Sequence, residues 1–181
     1  MFNLFLTFLF EINSEASEYQ PLKDQTWLIC NSESFTVQDY TVNYKICSKD
    51  TDVPTEQDLI SLSKKILEFA ETQGLPTENR VGISLEELEI YKINMALLND
   101  SYRFSKWANQ STDLIWGLYD PRIEETGVAS IMLTEHGSYW DTIVLAHELS
   151  HYWYDRLSWK KIWSKDDEQF ALDFEKYLAK G

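Results

Sequence analysis

The chain has 181 residues, 44% of them apolar and 14% aromatic, with 7 Trp and 10 Tyr. That size and richness in large apolar groups fit one globular domain and exclude a disordered chain. Its 30 Asp and Glu against 16 Lys and Arg give a formal charge of -14, which repels phosphate backbones and argues against nucleic acid as a partner. No apolar run approaches the roughly 20 residues that a membrane-spanning helix needs, so no transmembrane segment is expected.

Met1 to Phe10 is apolar apart from Asn3 and Thr7, and Ser14-Glu15-Ala16 follows as a small-residue cleavage site would. Residues 1–16 thus resemble a secretory signal, although no Lys or Arg precedes the apolar run, and residues 17–181 read as a single domain. The expected location is secreted or periplasmic, or cytoplasmic if the leading segment packs into the fold. Trp27 to Cys30 and Thr41 to Cys47 read as strands, so the two cysteines can meet across neighbouring strands. Export would make them a disulfide; otherwise they are two buried thiols. Nothing resembles the paired cysteines of a metal site.

Leu59, Leu62, Ile66, Leu67 and Ala70 recur at helical spacing before the stop signal of Gly74 and Pro76, predicting a helix of about four to five turns. Val81 to Leu85 reads as a short strand, whereas Glu86 to Trp107 mixes helical and alternating patterns and yields no assignment. Leu114 to Tyr119 and Val128 to Leu133 read as strands. Ser138 and Asp141 have the spacing of a capping box, opening a helix to about Leu157; a last helix from about Asp166 carries Phe170, Leu172, Phe174 and Leu178. No internal repeat or linker divides the chain.

The chemistry concentrates on those two helices. His147 and His151, in His147-Glu148-Leu149-Ser150-His151, are four residues apart, so a helix projects both imidazoles from one face towards a single tetrahedral ion. Glu148 follows the first ligand directly, where it sits beside the metal and can take a proton from a bound water. Zinc lowers the pKa of that water to about 7 and polarises a peptide carbonyl. The bland alternative, two structural histidines on a buried helix, does not account for Glu148 after the apolar run Ile143 to Ala146.

A catalytic zinc takes three protein ligands and leaves one position open. The remaining histidine, His136, is upstream in a loop, and a further His is absent at the metzincin spacing, where Leu157 stands. Asp155 is about 12 Å along the helix axis from His147, which makes it an outer or surface carboxylate. Glu168, in Asp167-Glu168-Gln169-Phe170-Ala171 on the next helix, is the candidate third ligand; its alternative role is an ordinary carboxylate facing the helix dipole.

This HExxH pattern followed by Asp-Glu-x-Phe-Ala resembles the gluzincin metallopeptidases over roughly the last 45 residues, and Phe174-Glu175 extends the likeness to their aminopeptidase branch. The resemblance implies an α+β zincin-like fold: a small mixed or antiparallel sheet packed on an active-site helix, and a C-terminal helix carrying the third ligand. It implies one Zn2+ held by His147, His151 and Glu168, Glu148 as general base, and a peptide or protein substrate. It also implies a strand antiparallel to extended substrate, for which Gly127 to Thr134 is the expected segment. Tyr119, Tyr139, Tyr152, Tyr154 and His136 are the candidate oxyanion donors. The cluster Trp140, Tyr152, Trp153, Tyr154, Trp159 and Trp163 lines either a substrate cleft or the core. Two other functions fit the same residues: a silent zincin-fold binding module with structural zinc, and an amidase acting on a cell-wall type amide.

Overall fold

The computed structural model describes residues 28–49, 53–77, 87–93, 116–120, 128–134, 138–158 and 165–180. The signal-like segment 1–16, the strand expected at Val81 to Leu85, His136, Trp159 and Trp163 lie outside the described residues, as do the side chains of Ser138 to Asp141.

The described chain is α+β, with five strands and three helices. Strands β1 (Ile29–Val37) and β2 (Tyr40–Ser48) precede helix α1 (Glu56–Thr72); β3 (Glu87–Ile93), β4 (Gly117–Asp120) and β5 (Val128–Thr134) precede helices α2 (Ser138–Ser158) and α3 (Lys165–Leu178). The sheet is mixed, in the order β1-β2-β3-β5-β4. Its centre is parallel, β2 on β3 on β5, and each edge strand is antiparallel to its neighbour.

β3 and β5 are buried on both faces, so their burial runs almost continuously, whereas the first half of β2 alternates buried with exposed residues. On one face Val42, Ile46, Leu88, Ile90, Ala129 and Ile131 meet the helices in the main core. On the other face Cys47, Tyr91, Ile93, Leu118 and Met132 form a second cluster. β3 lies in the segment that the sequence left unassigned. Two polar residues break its pattern, Glu89 in an ion pair with Lys45 at 3.1 Å and the buried Lys92.

Helix α1 begins where its chemistry says it should. The Thr55 hydroxyl accepts from the Asp58 N–H, and the Asp58 carboxylate accepts from the Thr55 N–H, a reciprocal capping box. It ends at Gly74, whose φ of 73° suits a residue without Cβ. The Trp153 indole N–H donates to the Ser63 hydroxyl at 3.0 Å in the core, tying α2 to α1. Helix α3 docks through Phe170 and Phe174, which pack on Phe69 and, for Phe170, on Tyr154. Leu172, expected on the apolar face, is instead exposed.

Cys30 and Cys47 stand opposite each other in the β1·β2 register, Cα atoms 4.1 Å apart, and form a disulfide. No helix among the described residues is long and apolar enough to cross a membrane.

Candidate metal centre

The i, i+4 spacing on α2 brings His147 Nε2 within 3.1 Å of His151 Nε2. From the first turn of α3, Glu168 places Oε1 3.8 Å from the first nitrogen and Oε2 3.5 Å from the second. With bonds of about 2.0–2.1 Å, two ligands on a tetrahedral zinc stand about 3.3 Å apart. The observed separations, two of them to different oxygens of Glu168, are of that order, and one ligand atom from each residue lies within 4.8 Å of the others, so this His-His-Glu group could hold a metal ion.

The outward nitrogens of both imidazoles are engaged. His147 Nδ1 is 2.7 Å from Glu175 Oε1, and His151 Nδ1 is 2.8 Å from the buried Asp167. Each carboxylate favours a proton on Nδ1, which turns the Nε2 lone pairs inward, one towards the other. Two lone pairs at 3.1 Å repel unless a proton or a metal cation lies between them. Burial depresses the His151 pKa, yet the hydrogen bonds to Asp167 and Glu168 and the charge of Glu148 push it up to about 10. The hydrogen bond from His151 outweighs burial in holding the Glu168 carboxyl below the usual range. The donor set and its field fit a divalent cation.

Glu148 is buried beside this group. Burial raises its pKa, against the charges of His147 and His151, and its carboxylate accepts from the Tyr119 N–H. The position depends on β4. Trp116 O accepts from both the N–H and the hydroxyl of Thr134. The alternation of an antiparallel ladder then directs the backbone groups of Leu118 and Asp120 to β5, and those of Gly117 and Tyr119 away from it. Gly117 allows the close approach: a Cβ there would stand 2.6 Å from Glu148 Oε1 and 2.5 Å from Val144 Cγ1.

Residues 147, 148, 151 and 168 thus come together as the sequence reading expected. Other expectations need correction. Among the described residues the edge strand beside the site is β4; β5, within the expected Gly127 to Thr134, lies inside the sheet between β3 and β4. Order along the chain favoured the strand nearest the helix, but β4 pairs on the outer side of β5. Asp155 sits away from the metal group and accepts the Tyr119 hydroxyl at 3.0 Å. Tyr119 is fully buried, and its ring lies parallel to that of His151. Tyr152 and Tyr154 are core residues, the first edge-on to Trp153 and the second packed on Phe170. The three described members of the aromatic cluster therefore belong to the core, and of the candidate oxyanion donors Tyr119, Tyr152 and Tyr154 are buried.

Asp167, Glu175 and Gly117 were given no role in the sequence reading. The first two were within reach of it: Asp167 adjoins Glu168, and Glu175 follows it by seven residues, two turns along the same face. Nothing in the sequence singles out Gly117 before β4 is placed. Comparison with known proteins finds no family model, no curated protein and no solved structure that matches the chain.

Proposed function

We propose that this chain is a zinc-dependent peptidase of the gluzincin type with a zincin-like fold, in which His147, His151 and Glu168 bind Zn2+ and Glu148 is the general base. The observation that carries the reading is the convergence of one ligand atom from each of these three residues, within 4.8 Å of one another, with a buried carboxylate directly alongside. A structural zinc pin has no need of that carboxylate.

Zinc in such a site supplies a Lewis acid for the peptide carbonyl and a hydroxide nucleophile near neutral pH. Glu148 accepts the proton released from the attacking water and returns it to the departing amine. Burial raises its pKa, which favours taking up a proton there. Asp167 and Glu175 fix the tautomer and orientation of the two imidazoles. An extended peptide would pair with β4 on the side away from β5, which carries no strand among the described residues and to which the backbone groups of Gly117 and the carbonyl of Tyr119 turn. The disulfide suits an oxidising compartment, and we read the protein as exported.

Elemental mass spectrometry of the purified chain tests the site: near one zinc per chain, weakened in Glu168→Ala, is expected. A peptide library then tests the chemistry. Glu148→Gln should keep zinc and lose hydrolysis by about a hundredfold or more. A variant that hydrolyses peptides as fast as the parent would sink the catalytic assignment.

A further inference from the structure

One residue of β4 meets helix α2 at two points. The Tyr119 N–H donates to the Glu148 carboxylate, and the Tyr119 hydroxyl donates to Asp155 Oδ2 at 3.0 Å. Glu148 and Asp155 stand two turns apart on α2, so at 100° per residue their side chains share one face and lie about 10 Å apart along the axis. Tyr119 therefore spans the stretch of helix that carries His151. Its ring lies at 5° to the plane of that imidazole with centroids 6.3 Å apart, and Tyr152 stands edge-on to it at 6.5 Å.

The hydroxyl end of this span is a firm anchor. Tyr119 is fully buried. Burial, then the charge of Asp155, pushes its phenol well above the ordinary range, against the opposing charge of Arg156, so the hydroxyl keeps its proton and remains a donor. A hydrogen bond to a carboxylate is among the stronger kinds, and a buried hydroxyl pulled off its acceptor bears the full cost of desolvation. The main chain of residue 119 cannot turn away from Glu148 without straining that bond. At the other end a close approach is possible because residue 117 has no Cβ to push Glu148 aside.

We propose that Tyr119 and Asp155 are positioning residues for the general base: the hydroxyl bond anchors Tyr119 on α2, and the anchored N–H fixes the orientation of the Glu148 carboxylate. Neither side chain touches the reacting atoms. The catalytic consequence rests on the peptidase reading, whereas the seating of Glu148 does not.

Tyr119→Phe removes the hydroxyl and keeps the N–H; Asp155→Ala removes the acceptor, and Asp155→Asn keeps an acceptor oxygen. With a peptide that the parent hydrolyses, Tyr119→Phe and Asp155→Ala should each lower kcat about tenfold or more with KM changed less than about twofold, and Asp155→Asn should recover most of the loss. Bound zinc should stay at the parent level in all three. In a Glu148→Gln background Tyr119→Phe should cost nothing further, because the group it positions is already gone. An equal further loss there, or full kcat in Tyr119→Phe alone, overturns the proposal. Amide exchange gives a readout independent of turnover: the N–H of residue 119 should exchange at least about tenfold faster in Tyr119→Phe than in the parent. An unchanged rate overturns the two-point seat and leaves the peptidase reading standing. A parent that hydrolyses no peptide defeats that reading and the catalytic role together, even where the exchange rate shows the seat itself to be real.

Discussion

At one edge of the sheet β1 runs nine residues, the first six exposed; at the other, β4 runs four residues, three of them buried. Both strands are antiparallel to a single neighbour, yet they are held by different means. β1 is joined to β2 by a tight turn and a disulfide, with a hydrogen bond from the Tyr44 hydroxyl to Glu33 at 3.0 Å. β4 is held by contact, its glycine pressed on Val144 and Glu148 and its Tyr119 hydroxyl bonded to Asp155 of α2. A covalent tie keeps an edge in place without shaping what lies beside it. The packed edge is part of the site, so the two should fail in different ways.

The largest effect is expected from Cys30→Ser with Cys47→Ser. Opening a loop with a sequence separation of 17 costs about 3 kcal/mol of stability, read by denaturant unfolding, with metal content unchanged. Gly117→Ala should reverse that pattern. Overpacking costs about 1–3 kcal/mol, and displacement of Glu148 from the Tyr119 N–H should lower peptide hydrolysis at least tenfold while zinc stays bound. Retention of full turnover in this variant would show that Glu148 does not depend on β4.

Asp167→Asn sharpens the comparison from the α3 side, with zinc affinity falling about 10- to 100-fold in a chelator competition and the β1 edge untouched. A fourth effect belongs to β1 alone. Burial, followed by the hydrogen bond and charge of Glu33, pushes the Tyr44 phenol up to about 12 from an ordinary 10.0. The folded state favours the neutral phenol, so this contribution is complete below pH 10 and is lost as pH rises towards 12. Stability measured across that window should fall less steeply in Glu33→Gln. The smallest change is Gln38→Gly in the β1–β2 turn, where a φ of 50° strains a side chain; relief should contribute less than about 1 kcal/mol.

The same contrast explains what could be read in the sequence. Helices α1, α2 and α3 were legible because each buries one face, and the two histidines of the candidate metal group were legible because their spacing is local to one helix, whereas Glu168 comes from the next. The strand expected at Trp27 to Cys30 is instead β1 at Ile29–Val37, since its polar, solvated stretch Asn31 to Ser34 offers no alternation. β3 was hidden for the opposite reason: burial on both faces with Glu89 and Lys92 inside erases a two-residue period. The edge strand beside the site was misplaced because pairing order is a long-range property, and the contact at Gly117 exists only after β4 has been laid beside α2.

The division of labour at the metal group has a consequence for motion. Helix α2 supplies the imidazoles, whereas Asp167, Glu168 and Glu175 all come from α3. A bound ion would therefore be a clasp between two helices, and its loss leaves α3 to its aromatic packing on Phe69 and Tyr154 and to the His147–Glu175 and His151–Asp167 contacts. Backbone amides of α3 should then exchange with deuterium faster than those of α2, which keeps its grip on α1 through Trp153 and Ser63. The exchange rate of one short helix becomes a gauge of how much of the protein carries metal.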